Sequence, residues 1–288
     1  MSKIIIEVGS TCTKVDEINN ENINHITTET IQFKKNFKKD NKLNDDDVKR
    51  LIELTNKQKE LSNNIYACGT SVFRNLTDTQ REEFLKVFKK ETNLDFDIIS
   101  PEKENELTMK GATKYVENKK VAVFVGGGGS TEIAVYEDGV KETVNSKVGV
   151  IDIMNLFPDL AEDFATTDIE TVKEEVRKRL NLPKEKADIL ILAGGGHKFF
   201  ALNSGIKYVD NTLYEDSMQP IMMDIELRKK ETERYYKEIS LDEIRNKSDD
   251  PNWWYATRGM CAFVLVVAET IGAKYIVPTD ISMVHGLI

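Results

Sequence analysis

Near the start of the chain an apolar run, Ile4 to Ile6, passes through Glu7 and Val8 into Gly9-Ser10-Thr11 and resumes beyond Cys12 as alternating positions through Val15. Short apolar stretches bounded by turn residues predict strands, so the segment reads as strand, tight turn, strand. The pattern restarts at Val121: an apolar run to Val125, four glycines from Gly126 to Gly129, then Ser130-Thr131-Glu132 and alternation through Val135. At one constant offset Gly9 aligns with Gly127, Cys12 with Ser130, Thr13 with Thr131 and Glu7 with Val125. A repeated hairpin predicts two related domains.

Around these hairpins the periodicity predicts the rest of each domain. A third strand carries the chain to about residue 33, and Asp45-Asp46-Asp47 then precedes Val48, Leu51 and Ile52 at helical spacing. Carboxylates in a first turn complement the helix dipole. A strand over 64–67, a helix over 79–92, a strand over 96–99 and a helix opened by Ser100-Pro101 complete a β-β-β-α-β-α-β-α unit. The second unit adds helices near 150–156 and 168–180 and a strand over 188–193 that ends in Gly194-Gly195-Gly196-His197. Charged helices near 223–236 and 241–246, an apolar helix from about Trp253 to Ile271 and a strand over 274–277 follow. The expected domains are 1–118, onto which the chain end from about 279 to 288 packs back, and 119–278.

Composition narrows the class. With 288 residues, 40% hydrophobic and 31% charged, the chain is expected to be globular with room for two cores. A formal charge of -9 argues against general nucleic-acid binding, so any anionic ligand needs a focused site. Cys12, Cys68 and Cys261 show neither disulfide-framework nor zinc spacing. No cationic leader precedes the first strand, and the apolar run from Met260 to Ala268 stops at Glu269, short of a membrane span. A cytoplasmic protein without membrane partners is expected. Lys34, Lys35, Lys38 and Lys39 read first as a solvated face and second as a steering patch for polyanions.

The glycine runs carry the chemistry. Without Cβ atoms Gly126 to Gly129 can take positive φ and let backbone N–H groups converge on an anion. A lone glycine run is usually a plain turn; the duplication favours a phosphate cradle, with Gly9, Ser10, Thr11 and Cys12 in the first turn and Gly127, Gly128, Gly129, Ser130 and Thr131 in the second. A P-loop would need Lys-Ser/Thr after the glycines, and a dinucleotide fingerprint would need a helix where a strand follows. His25, His197 and His285 form no metal-ligand spacing; His197 reads as a helix start or a surface group before it reads as a ligand contact. Trp253, Trp254 and Tyr255 read as packing residues.

With four more segments, these hairpins resemble the exopolyphosphatase and guanosine pentaphosphate phosphohydrolase (Ppx/GppA phosphatase) family, on the fold shared by actin, sugar kinases and heat-shock chaperone ATPases. The family's GGGSTE stands as Gly127 to Glu132, its Thr-Ser-x-x-Arg as Thr70 to Arg74, and its Ser-Gly-x-x-Glu as Ser100 to Glu104; a third glycine turn at Gly194 to Gly196 and a terminal motif at 280–288 complete the match. Glu7 and Val125 stand where the family places aspartates, Pro101 stands for the glycine of Ser-Gly-x-x-Glu, and Val284-His285 stands for a terminal Arg-Glu.

The resemblance implies two actin-like (ribonuclease H-like) α/β domains, each with a mixed five-stranded sheet and flanking helices, and an active site in the interdomain cleft. It implies a hydrolase that releases terminal phosphate from inorganic polyphosphate or guanosine pentaphosphate. Arg74 would grip phosphate, Glu104 would orient or deprotonate the attacking water, and Gly195 would add a phosphate contact. Mg²⁺ is the implied cofactor, with Glu7 and Glu132 as candidate ligands; the plainer reading puts Glu132 in solvent on an edge strand. A homodimer is the candidate assembly. A phosphate- or nucleotide-binding module without turnover is the alternative, and an ATP-dependent kinase or reactivating ATPase ranks below it.

Overall fold

The computed structural model describes residues 2–20, 22–37, 42–194, 196–203, 207–216, 219–246 and 254–288. Lys38, Lys39, Gly195 and Trp253 therefore lie outside the described residues. The chain divides into two compact units, Met1–Gly111 with Met283–Ile288, and Ala112–Ser282.

The first unit opens with β1 (Lys3–Val8), β2 (Thr13–Asn19) and β3 (Asn22–Glu29), a meander of antiparallel strands. Helix α1 (Asp45–Lys59) starts where the Asn44 side chain accepts the N–H groups of Asp46 and Asp47, with three aspartates in the first turn, the arrangement that satisfies orphan donors and the dipole together. Strand β4 (Ile65–Gly69) runs parallel to β1 and leads into a one-turn helix, α2 (Ser71–Arg74), which the periodicity did not signal. Helix α3 (Asp78–Thr92) is bounded by a Thr77/Gln80 capping box and by Asn93 in the left-handed region. Strand β5 (Phe96–Ile98) and helix α4 (Pro101–Thr113) complete the unit. The sheet order is β3-β2-β1-β4-β5. Its core includes the apolar face of β1 and a set of phenylalanines in which Phe73 and Phe84 each lie 5.0 Å, centroid to centroid, from Phe96.

The second unit repeats this plan. Strands β6 (Val121–Gly126), β7 (Thr131–Tyr136) and β8 (Val140–Ser146) form the meander, followed by α5 (Val150–Leu156), α6 (Ile169–Arg179), β9 (Ile189–Ala193) and α7 (His197–Asn203). Then come β10 (Val209–Asp210), β11 (Ile221–Asp224), α8 (Ile225–Lys237), α9 (Leu241–Arg245), α10 (Thr257–Ile271) and β12 (Tyr275–Pro278). The order β8-β7-β6-β9-β12 matches β3-β2-β1-β4-β5 strand for strand, with β9 and β12 parallel to their inner neighbours as β4 and β5 are. The hairpin registers match as well: Glu7 faces Lys14 in one, Val125 faces Glu132 in the other.

Two expectations change. The second sheet has seven strands rather than five, because β11 pairs antiparallel with the outer edge of β12 and β10 pairs with β11. The helix expected from Met223 begins at Ile225; Met223 belongs to β11, and Asp224 caps α8 by accepting the Glu226 N–H at 2.7 Å. Within this unit Arg258 is fully buried and donates to the carbonyls of Tyr235, Leu160, Glu162, Asp163 and Ile239. Backbone oxygens thus replace water around a guanidinium that has five N–H donors. Among the described residues no helix is long and apolar enough to cross a membrane.

Candidate active site

In the first unit three functional segments leave the carboxyl ends of adjacent parallel strands: the Gly9–Cys12 turn after β1, α2 after β4, and α4 after β5. Ligand sites of open α/β sheets lie outside those ends. In the second unit the Gly127–Ser130 turn follows β6, and the third glycine turn follows β9. Each hairpin turn is closed by the same bond, Gly9 N–H to the Cys12 carbonyl at 2.9 Å and Gly127 N–H to the Ser130 carbonyl at 3.0 Å. The duplication is therefore structural as well as sequential.

The reason for glycine in the second turn differs from the expectation. None of Gly126 to Gly129 has positive φ; the left-handed glycines of this unit's third turn are Gly194 (φ 70°) and Gly196 (φ 66°). Space is the constraint instead. A Cβ on Gly126 would lie 2.5 Å from the Phe124 ring. A neighbouring segment that sequence reasoning missed also presses on the turn. Val150 and Ile151, at the start of α5, donate their N–H groups to the carbonyls of Gly127 and Gly128 at 3.0 and 3.2 Å. A Cβ on Gly149 would lie 2.3 Å from the Gly129 nitrogen, 2.4 Å from the Gly128 carbonyl carbon and 2.5 Å from the Gly127 oxygen. The signal was present in the sequence as an isolated glycine entering a helix, a mark of close backbone approach.

Thr131 is buried, and its hydroxyl donates to the Val148 carbonyl at 2.8 Å, fastening the turn to this same segment. Ser10 is held through its carbonyl, which accepts the Lys34 N–H at 2.9 Å, so one lysine of the basic run is fastened to the first turn.

Arg74, at the end of α2, and Glu104, in the first turn of α4, come from separate motifs and meet. Arg74 Nη1 donates to Glu104 Oε2 at 3.0 Å and to the Ile99 carbonyl at 3.2 Å. Both side chains are mostly shielded, at 17% and 19% exposure. Both hydrogen bonds of Arg74 among the described residues come from Nη1, which leaves the Nε and Nη2 donors of the guanidinium fork for a ligand.

Glu7 stands two residues before its turn and Glu132 two residues after its own, on opposite strands of their hairpins. Glu132 is buried on β7, an interior strand between β6 and β8, which removes the solvent-facing edge alternative. Val125 faces it across the ladder. Among the described residues no group of three His, Cys, Asp or Glu side chains could hold a metal ion. Single carboxylates suit Mg²⁺ that keeps its waters and arrives on substrate phosphates, rather than a metal caged by protein. His197 is buried at the start of α7 with its ring 6.2 Å from that of Phe124, not on the surface. Cys68, beside Glu7 in the sheet, is buried; burial and the Glu7 charge push its thiol well above the usual range, so it stays protonated.

The sequence matches the family described as Ppx/GppA phosphatase over residues 14–247. No curated protein matches. Among solved structures, the chain is similar to a Ppx/GppA phosphatase of Aquifex aeolicus with a TM-score of 0.73 and 19% identity, covering 100% of this chain and 98% of that one. An exopolyphosphatase from Cytophaga hutchinsonii superposes with a TM-score of 0.79 at 14% identity, covering 99% and 96%. A nucleoside triphosphate hydrolase from Neospora caninum gives 0.59 at 9% identity, covering 100% and 91%. At these identities the structural likeness establishes a shared fold.

Proposed function

Because the chain belongs to the Ppx/GppA phosphatase family, we propose that it is a phosphohydrolase that releases the terminal phosphate of inorganic polyphosphate or of guanosine pentaphosphate. The observation that carries this reading is the 3.0 Å pair of Arg74 and Glu104, which gathers a phosphate-gripping cation and a water-directing carboxylate at the mouths of adjacent parallel strands. Phosphoryl transfer asks the protein chiefly for positioning and charge stabilisation. The backbone N–H groups of Ser10 to Cys12 and of Gly128 to Thr131, each in its own unit, are the phosphate-holding elements, those of Gly9 and Gly127 being used to close the turns. The free edge of Arg74 takes two oxygens of the terminal phosphoryl group and strengthens its hold as charge shifts onto them.

Glu104, fixed by Arg74, accepts a hydrogen bond from the attacking water and takes its proton as the new P–O bond forms. The bridging P–O bond breaks, and its electrons stay on the shortened chain or nucleotide. Mg²⁺, where present, would neutralise phosphate charge, with Glu7 in the first unit or Glu132 in the second as the carboxylate that would hold its waters. The test is phosphate release from polyphosphates of several lengths, guanosine pentaphosphate and ATP, with and without Mg²⁺. Release from polyphosphate or guanosine pentaphosphate in preference to ATP is expected; binding without release of phosphate from any of them would overturn the proposal.

A further inference from the structure

Beside Arg74, and wholly within the first unit, an open surface cavity of about 390 Å³ lies between α3, the edge strand β5 and the start of α4. Its size falls in the lower part of the ~300–1,000 Å³ range of small-molecule sites. Two arginines line it, Arg74 and Arg81, together with Ser100. Arg81 sits in the first turn of α3, and Leu85, one turn further, shares its face and forms an apolar wall with Phe96 and Pro101. Asp97 is the one carboxylate in the lining, and it already accepts a hydrogen bond from Tyr66.

Arg81 has little to hold it. Its Nη1 reaches Asp78 at 3.4 Å, and Asp78 is 94% exposed, a geometry and setting in which an ion pair contributes almost nothing. Its Nε is shielded from solvent and has no hydrogen-bond partner among the described residues. A buried donor left without an acceptor is unfavourable. At the start of α4 the Ser100 hydroxyl oxygen accepts the Lys103 N–H at 3.2 Å, and the exposed carboxylate of Glu102 is held below the usual carboxylate range by its own N–H and the Ser100 hydroxyl, with Arg74 adding a smaller pull. Glu102 thus sets a negative charge next to the donors that would receive an oxyanion.

We propose that this cavity is a second anion site, which takes a phosphate-class oxyanion, orthophosphate or diphosphate, between Arg81, Arg74 and Ser100 at the start of α4. The binding itself is independent of the hydrolytic reading; its consequence for turnover rests on it. Because Arg74 serves the cavity, Glu104 and the terminal phosphoryl group, an anion that draws its guanidinium toward Arg81 loosens the pair and withdraws the fork from substrate, which slows turnover.

The experiment titrates isotope-labelled protein with orthophosphate at constant ionic strength and follows the arginine Nε–H signals by NMR. The Arg81 signal is identified by its disappearance in Arg81→Gln. It is expected to move and saturate with phosphate and to stay still with chloride. Glu102→Gln, which removes the competing carboxylate, should tighten the apparent Kd several-fold. Arg81→Gln should keep basal turnover while weakening inhibition by phosphate about tenfold or more, the loss expected for a charge-assisted hydrogen bond. An Arg81 signal that stays still while phosphate saturates other sites, or moves equally with chloride, overturns the proposal. So does a Glu102→Gln protein with unchanged affinity at that signal. A protein that shows the Arg81 shift but no hydrolysis keeps this site and refutes the hydrolytic reading alone.

Discussion

Gly149→Ala tests how the second phosphate turn is held. The added methyl carbon would lie 2.3, 2.4 and 2.5 Å from three backbone atoms of Gly127 to Gly129. Ordinary carbon contacts begin near 3.5 Å, so the two segments must separate by about 1 Å, and no side chain can swing away to absorb the change. That separation pulls on the Val150 and Ile151 hydrogen bonds to Gly127 and Gly128 and on the Thr131 bond to Val148. Overpacking of this kind costs about 1–3 kcal/mol. A misplacement of ~1 Å at a positioning element costs on the order of 10²-fold in rate. Urea unfolding gives the first number, and initial rates of phosphate release give the second. A folded Gly149→Ala protein with wild-type kcat and KM would show that the close approach of residue 149 does not position the turn.

Arg74→Lys should lose most of kcat/KM, because a lysine ammonium cannot hold Glu104 and the Ile99 carbonyl while presenting a planar fork to phosphate; wild-type kcat/KM in the Lys variant would reduce Arg74 to a simple counter-charge. Arg258→Ala should destabilise the protein by at least about 3 kcal/mol, since five backbone carbonyls lose a buried donor; urea midpoints within error of wild type would contradict it. Asp159 is partly buried, which raises its pKa, yet hydrogen bonds from the N–H and hydroxyl groups of Thr167 and Thr166 lower it below the usual value overall. A depressed carboxylate stabilises the fold above the ordinary Asp pKa of about 3.9 and stops doing so as the pH falls through the lower folded value. The stability deficit of Asp159→Asn should therefore be full at neutral pH and shrink below about pH 4; a deficit that stays constant through the acid range would refute the hydrogen-bond origin of the shift.

The repeat and the pairing of strands were legible because their causes are local. Apolar runs, alternation and turn residues specify β1, β2, β4, β6, β7 and β9 closely, and one constant offset predicts that both hairpins share a register; β3 ends at Glu29, short of the expected residue 33, and β8 was not read. The acidic triplet marks α1 in the same local way. What escaped depends on distant partners. Strand β11 is a four-residue stretch beside a charged helix, and it becomes a strand only because β12 offers an open edge. The glycines of the second turn were expected to supply positive φ; they are required instead by Phe124 and by the approach of Gly149. The reading of Glu132 stood open between a metal ligand and a solvent-facing edge residue, because the strand order that makes β7 an interior strand is not written in a hairpin alone. The meeting of Arg74 with Glu104 followed from neither motif separately; parallel pairing of β4 with β5 brings their segments together.

The most direct measurement compares phosphate release by wild-type protein and Glu104→Gln on polyphosphate, with substrate binding followed in parallel by calorimetry. The amide keeps the size and a hydrogen bond to Arg74 but cannot take the proton of the attacking water, so turnover should fall by ~10² or more while the dissociation constant stays near wild type. Near-normal turnover in Glu104→Gln, or no phosphate release by wild type from a substrate it demonstrably binds, would contradict hydrolysis directed by Glu104.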